Sequence, residues 1–453
     1  MVIFPWRAQV CALLALVLGL SPVVAQNEEP LPKGYADFPR VAATISADSA
    51  VQLALEHSLA VALGRIQLRL QSSETEEARA ASRPQLSLNG FAMRNSMAMI
   101  SQSAPGTMPN FIQSYNSPGA VSASAMFMMP LFTGGALEHQ LQAAEQSERA
   151  AVARTAFSLR ETARQVRLAY FQVQESRAKS LVLAWQLTQN LEVERIAQEQ
   201  LRAGKVAPFV KLRAQAEVAA TQQGQNDLRA EVSEREVALK VAMGVAMDSD
   251  FGYPTQEAPP AAPAPLADLM ATSLQERSDL VAARFAVDQG DQLVSAAISE
   301  YAPKSYLVAM GESTRTNPFG ASMSETGYSI GVVFSFPLYD GGLRAAREDR
   351  ARASLDERRL QLRQLELQAT AQVAAARARL LSSLDNLELS QVELNRAQED
   401  WRIAQLRMVA GRALYLEVLD ALLAISRARN NQVRSLFSAR TADAELMYAI
   451  GRY

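Results

Sequence analysis

Few side chains in this sequence could bind a metal ion or act as a nucleophile. The chain has two histidines, His57 and His139, and a single cysteine, Cys11. Both histidines lie in helical patterns, so each is interpreted as a helix-surface residue and not as a metal ligand. We also find no phosphate-binding glycine loop and no histidine placed beside a nucleophile. The sequence therefore predicts that the protein is not an enzyme and has no resident metal or cofactor.

Methionine is the sulfur-bearing residue that is unevenly distributed. Nine of the fifteen methionines lie in two charge-poor segments: Met93, Met97, Met99, Met108, Met126, Met128, Met129, Met310 and Met323. A thioether sulfur is a soft ligand that suits monovalent copper. Methionine more often serves as flexible apolar filler, however. We therefore assign no metal site from the sequence. Whether these methionine-rich segments bind metal is a question that the sequence alone does not decide.

The first 25 residues have the three parts of a secretory signal peptide. Arg7 is the positive residue, residues 10–20 are the apolar core, and Ala25 ends a small-residue cleavage site. Because Cys11 lies in this segment, we expect the mature chain to have no thiol. Residues 26–45 are proline-rich and are expected to form an extended arm.

The remaining composition excludes two classes of protein. The whole chain has 45 basic and 47 acidic side chains, which is not the composition of a polybasic nucleic-acid-binding protein. After the signal peptide there is no apolar stretch of about 18 residues, so the mature chain is not expected to cross a membrane as a helix bundle.

Two runs without glycine or proline organise the chain, residues 136–203 and 343–410. Each run has 68 residues with apolar positions at helical spacing, and a continuous helix of that length extends about 100 Å. The same strand-to-helix turn precedes both runs, and its residues are Pro130, Gly134 and Gly135, and Pro337, Gly341 and Gly342. Both runs stop at a glycine, Gly204 and Gly411. A protein built on such rods bridges a long distance.

The two halves of the chain are an internal duplication. Pro130 and Pro337, Gly204 and Gly411, and Gly244 and Gly451 are pairs with the same separation of 207 residues. Repeat 1 (46–244) is predicted to contain a helix (46–82), a strand hairpin (84–132), a long helix (136–203) and a return helix (209–243). Repeat 2 (266–453) follows a proline-rich linker (245–265), and its corresponding elements are 266–300, 303–338, 343–410 and 412–450.

Element lengths and patterns predict the architecture. In each repeat the summed length of the two shorter helices approximates that of the long helix, so we expect them to pack end to end beside it, with glycines at the hairpin tips. Residues 121–131 and 328–338 alternate between apolar and small or polar residues, as strands of a membrane barrel do. A soluble antiparallel sheet is the alternative.

Four strands are too few to close a barrel, and open strand edges are not tolerated in lipid. The barrel therefore has to be shared between chains. This argument leaves two, three or four subunits open.

The signal peptide, the duplicated plan, the repeated P-L-[FY]-x-G-G strand exit and the hairpin glycines together resemble the TolC-like outer-membrane efflux proteins. The resemblance covers essentially the whole mature chain. It implies a mainly α fold with a β-barrel segment: four membrane strands per chain in a 12-stranded barrel shared by a homotrimer, and coiled-coil helical hairpins that form a periplasmic tunnel. The implied location is the outer membrane.

The resemblance also implies the function and the partners. The protein is expected to be a passive exit duct of a tripartite efflux pump or a type I secretion system. Its expected partners are outer-membrane lipid, a periplasmic adaptor (membrane fusion) protein and an inner-membrane transporter of the RND or ABC type, with no nucleic acid. The alternative is a secreted or surface coiled-coil scaffold or adhesin without a channel, which leaves the two charge-poor alternating segments unexplained.

In this family the adaptor docks at the hairpin tips. The matching residues are Arg202, Gly204 and Lys205 in the first tip, and Gly411 and Arg412 in the second. A glycine permits tight chain reversal and the close approach of a partner backbone. Chain reversal alone is the simpler interpretation, and the two are compatible.

The family also places acidic residues around a closed periplasmic gate, at the sixth and ninth positions after the second tip glycine. These positions are Glu417 and Asp420, whose i, i+3 spacing puts them on one helix face. In a symmetric oligomer they would form a negative ring that favours cations. Their repeat 1 counterparts are Val210 and Arg213, so only one hairpin is expected to line the gate. A solvated helix face is the alternative.

Overall fold

The computed structural model describes residues 40–94, 119–254, 258–316, 323–410, 412 and 415–452. The predicted signal peptide, and the predicted arm up to residue 39, lie outside these ranges, as does Gly411. The elements of the first half are β1 (Ala42–Thr44), α1 (Ala47–His57), α2 (Leu59–Ala80), β2 (Gln85–Arg94), β3 (Gly119–Phe132), α3 (Ala136–Arg202), α4 (Pro208–Met243) and β4 (Asp250–Gly252). Those of the second half are α5 (Leu266–Glu276), α6 (Ser278–Ser299), β5 (Lys304–Thr316), β6 (Met323–Ser335), α7 (Leu343–Val409) and α8 (Tyr415–Ala449).

The two long helices dominate the structure. α3 and α7 each run for 67 residues without interruption, which corresponds to about 100 Å. α3 packs against α2 and α4, and α7 packs against α5, α6 and α8. Helix α6 also contacts α3, so it joins the two halves of the chain. Among the described residues no helix is both long enough and apolar enough to span a bilayer.

The prediction of single uninterrupted helices over 46–82 and 266–300 is wrong. Each region is two helices, of 11 and 22 residues, separated by one residue with an extended backbone. The break residues are Ser58 (φ −66°, ψ 131°) and Arg277 (φ −66°, ψ 120°). Neither is glycine or proline, so the local sequence contains no signal for the break.

The cause of both breaks is tertiary, because the end of a return helix packs against each one. Gly244 and Gly451 end α4 and α8 with positive φ values of 68° and 88°. A Cβ on Gly244 would lie 2.6 Å from the carbonyl oxygen of His57, and one on Gly451 would lie 3.0 Å from the carbonyl carbon of Glu276. The two glycines let the return helices approach the broken helices at backbone distance.

The helix bounds also refine the duplication. The long helices begin 207 residues apart, at Ala136 and Leu343, whereas α1 and α5 begin 219 residues apart, at Ala47 and Leu266. The first strand hairpin therefore contains the extra twelve residues. The return helix predicted to begin at 412 begins at Tyr415, and the alternating run predicted to reach Leu338 ends as a strand at Ser335.

A short strand pairing was missed within the predicted linker. Strand β4 pairs in parallel with β1, next to a cluster of buried residues that includes Ile45, Tyr170 and Phe251. Tyr170 is fully buried there, and its hydroxyl donates a hydrogen bond of 3.1 Å to the carbonyl oxygen of Ile45. The linker and the arm therefore brace the middle of the long helix α3.

The other four strands form one antiparallel sheet in the order β2-β3-β5-β6. The hairpin from repeat 1 thus pairs with the hairpin from repeat 2 through β3 and β5. Strands β2 and β6 are the outer strands, and within the described part of the chain neither has a second partner.

The two faces of this sheet are opposite in character to those of a soluble sheet. The polar face carries Ser122, Ser124, Glu312 and Thr314, and both serines are only 4% exposed. The apolar face is largely exposed, and it includes Leu86, Leu88, Phe127, Ile330, Val332 and Phe334. Exposed apolar side chains opposite buried hydroxyls suit a surface that faces lipid.

Candidate gate and hairpin tips

The first hairpin tip reverses the chain with a Schellman motif. After α3 ends, Gly204 adopts φ +67°, and the N–H of Lys205 donates to the carbonyl oxygen of Gln200 at 2.9 Å. Helix α4 then begins with Pro208 in its first turn. A Cβ built on Gly204 would have no neighbouring atom within 4 Å. Gly204 is therefore required by backbone conformation and not by crowding within the chain.

The second tip has the equivalent hydrogen bond. The N–H of Arg412 donates to the carbonyl oxygen of Arg407 at 2.8 Å, and both residues are 207 positions after their counterparts Lys205 and Gln200. The predicted tip residue Gly411 lies outside the described residues.

The described tip residues are exposed and basic. Arg202, Lys205 and Arg412 are all exposed, as are the apolar side chains of Phe209 and Val409 (66% and 80%). An exposed surface that combines cationic and apolar side chains at the end of a rod suits contact with another protein.

The predicted gate acids lie on the exposed face of the first two turns of α8. Glu417 and Asp420 are exposed, while Val418 and Leu419 between them are buried. The exposed stripe continues along α8 through Arg427, Asn431, Arg434 and Ser438. The structure thus brings the two acids to one face, and their position around an aperture depends on an oligomer.

Tyr415 is a residue of this region that the sequence analysis missed. Its ring packs against two clusters, one with Val193 and Trp401 and one with Val210 and Ala214, so it touches both hairpins. Its hydroxyl oxygen is buried and has no hydrogen-bond partner among the described residues. Burial raises the pKa of this tyrosine, and the nearby Glu217 raises it further. A lone aromatic residue just after the tip is the only sequence signal.

The strand-to-helix turns differ in how strongly they need glycine. Gly134, Gly135, Gly341 and Gly342 all have positive φ values between 66° and 89°. A Cβ on Gly134 would lie 2.3 Å from the Cβ of Ala302, whereas one on Gly341 would have nothing within 4 Å. The turn after β3 is therefore packed within the chain, and the equivalent turn after β6 is open.

Asp340 organises the second of these turns. Its carboxylate accepts hydrogen bonds from the backbone N–H groups of Gly342 and Arg344, both at 3.1 Å, and from Nε of Arg344 at 2.7 Å. The Arg344 side-chain bond, reinforced by the two backbone bonds, lowers the pKa of Asp340. The carboxylate stabilises the start of α7.

Histidine and acidic side chains do not assemble a metal centre in the described part of the chain. His139 Nδ1 lies 3.0 Å from Oε1 of Gln292, which is a structural contact between α3 and α6. His57 lies 3.8 Å from Glu56 on a helix surface.

Solved outer-membrane proteins share this fold. The outer membrane protein VceC of Vibrio cholerae is 19% identical, with a TM-score of 0.74 over 90% of this chain and 96% of that one. The CmeC outer membrane channel of Campylobacter jejuni is 15% identical, with a TM-score of 0.74 over 89% and 85% of the two chains. The open MtrE outer membrane channel of Neisseria gonorrhoeae is 17% identical, with a TM-score of 0.71 over 90% and 89%. No curated protein sequence matches significantly.

These solved structures establish the fold of the chain. The family model for outer membrane efflux proteins matches residues 50–245 and 269–452, and the chain belongs to that family. The predicted resemblance to TolC-like channels is confirmed, as are the outer-membrane location and the periplasmic location of the helical part.

Proposed function

We propose that the protein is the outer-membrane exit duct of a tripartite efflux pump or a type I secretion system. Three copies close a 12-stranded barrel and a helical tunnel, and cargo passes through passively. A periplasmic adaptor docks at the hairpin tips around Gly204 and Gly411, and it connects the duct to an inner-membrane RND or ABC-type transporter. Glu417 and Asp420 line the gate at the periplasmic mouth.

The observation that carries this proposal is that, among the described residues, the sheet and the helical layer of each chain both have two unpaired edges, and that these edges are complementary to each other. In the sheet, β3 and β5 pair across the repeats, and the duplication makes β6 and the β2 of a neighbouring chain the equivalent pair. In the helical layer, α6 packs against α3, and the equivalent contact is between α2 of a neighbour and α7. Repeating both contacts around an axis closes a ring.

The side chains on these open surfaces support the ring. Within the chain, Arg160 of α3 donates a hydrogen bond to Ser278 of α6. The duplication relates these two residues to Leu367 and Leu59, which are 65% and 51% exposed. Two exposed leucines at positions related to an internal contact indicate an apolar contact between subunits.

Cysteine cross-linking tests the ring directly, because the only native cysteine lies in the predicted signal peptide. We expect Leu59→Cys combined with Leu367→Cys to give covalent oligomers with a short bis-maleimide reagent, and the largest species counts the subunits. Leu59→Cys with Leu389→Cys is the control, since Leu389 is also exposed but lies about 33 Å further along α7. Equal cross-linking of both pairs would remove the support for this interface.

Single-channel recording on the detergent-purified oligomer tests the duct itself. A sustained conductance is expected. An oligomer that cross-links as predicted but never conducts would favour a coiled-coil scaffold over a channel.

A further inference from the structure

Three methionines meet on the polar face of the sheet. The β3–β5 register places Met126 directly opposite Met310, and Met128 lies two residues from Met126 on the same face. Side chains directly opposite in an antiparallel pair have Cβ atoms about 4.5–5.5 Å apart. The three thioether side chains therefore share one patch of the polar face. One of the three comes from repeat 2, so only the pairing of the two hairpins brings them together.

Apolar filling does not account for the position of Met126 and Met310, although Met128 has the apolar Val308 directly opposite it. The side chains that face outward in an apolar environment are on the other face, which carries Leu86, Phe127 and Ile330. Met129 also lies on that apolar face, where an apolar methionine side chain is expected. Met126 and Met310 instead have Ser87 and Ser329 as their outer neighbours in the same row.

A carboxylate stands in the next row of the polar face. Glu312 follows Met310 by two residues, and its Oε1 accepts hydrogen bonds from the hydroxyls of Ser122 at 3.2 Å and Thr314 at 2.8 Å. These bonds fix the carboxylate one row from Met310, with Oε1 directed toward Ser122 and Thr314 on the far side. Neutral sulfur ligands do not compensate the charge of a cation, and a fixed carboxylate nearby does so.

We propose that Met126, Met128 and Met310 form a binding site for a soft monovalent cation of the copper(I) and silver(I) class. Thioether ligands select such ions over hard cations, which prefer oxygen. All three ligands belong to one chain, so binding does not depend on the number of subunits or on the partners of the duct. If the polar face lines the lumen, the site faces the route taken by cargo.

The test is silver binding to the full-length, detergent-purified oligomer, measured by isothermal titration calorimetry in nitrate buffer. Wild-type protein is compared with Met126→Leu/Met310→Leu and with Met129→Leu. Methionine-to-leucine changes conserve volume and are well tolerated. The Met129→Leu control changes the adjacent methionine on the opposite face, and native gels and circular dichroism establish that each variant is assembled.

We expect about one silver ion per chain in the wild type. Loss of a single supporting group around a metal commonly costs about 10- to 100-fold in affinity, and removal of two ligands should cost at least that. The control should retain wild-type affinity. The proposal is overturned if the wild type binds no silver, if the double variant binds as tightly as the wild type, or if Met129→Leu weakens binding equally. If the double variant does not assemble, Met310→Leu alone must weaken binding for the proposal to survive.

Discussion

Substitution of Gly204 separates a role in chain reversal from a role in docking. Its φ of +67° is costly for ordinary residues, by roughly 1–2 kcal/mol, because of contact between Cβ and the backbone. No atom within 4 Å opposes an added Cβ, so this conformational cost is the whole penalty within the chain. Gly204→Ala should therefore lower the free energy of unfolding by about 1 kcal/mol. Gly204→Asn should cost less, because asparagine visits this conformation routinely.

Gly134 provides the matched control, since its φ of +66° is nearly the same. A Cβ there would overlap the Cβ of Ala302 at 2.3 Å and approach the carbonyl oxygen of Ser299 at 2.9 Å. Asparagine relieves only the conformational part of this penalty. We therefore expect Gly134→Asn to be clearly less stable than Gly204→Asn in thermal unfolding monitored by circular dichroism.

The docking proposal makes a further prediction for Gly204→Asn. An asparagine side chain at an exposed tip leaves the oligomer assembled and stable but obstructs close approach of an adaptor backbone. We expect reduced co-purification of the adaptor and reduced rescue of a deletion strain exposed to toxic compounds. Because the second tip repeats the first, the double variant Gly204→Asn/Gly411→Asn should abolish rescue. Full rescue by a stably assembled double variant would refute docking at these glycines.

Three further predictions concern the acidic residues of the gate, the buried hydroxyl of Tyr415 and the titration of Tyr448. Glu417→Ala/Asp420→Ala should reduce block of the single-channel current by divalent or trivalent cations, and unchanged block would return both acids to a solvated helix face. Tyr415→Phe should raise the free energy of unfolding by about 1 kcal/mol, because it removes a buried hydroxyl without a hydrogen-bond partner in the described chain. The control Tyr339→Phe, at an 89% exposed position, should leave the free energy of unfolding unchanged. If Tyr415→Phe instead lowers the free energy of unfolding by about 1 kcal/mol, the hydroxyl is hydrogen-bonded in the protein. Burial, with a hydrogen bond to Glu161, raises the pKa of Tyr448 to about 12, so its contribution to stability is complete below its ordinary pKa of 10.0 and is lost as the pH rises to about 12. The melting temperature of Tyr448→Phe should therefore fall less than that of the wild type across this range, and identical pH profiles would contradict the assignment.

Several structural features follow from local sequence because they rest on periodicity and on special backbone conformations. The two 67-residue helices need only helical spacing and the absence of glycine and proline over their length. Their ends coincide with glycines such as Gly204, whose left-handed conformation ordinary residues avoid. The second strand of each hairpin follows from period-two alternation, and the equal spacing of landmarks makes the duplication visible.

Other features depend on contacts between distant segments. Ser58 and Arg277 break helices because glycine-ended return helices pack on them, and nothing adjacent in sequence records that approach. Tyr415 matters because two hairpins meet at its ring.

The pairing of Met126 with Met310 shows the same division most clearly. Period-two alternation places each methionine on a face of its own strand, but it does not say which strands are neighbours or in what register. Repeat 1 and repeat 2 were recognisable as copies from the sequence by itself. Only the tertiary structure decided that their hairpins join edge to edge, because strand register is set by packing across the whole sheet.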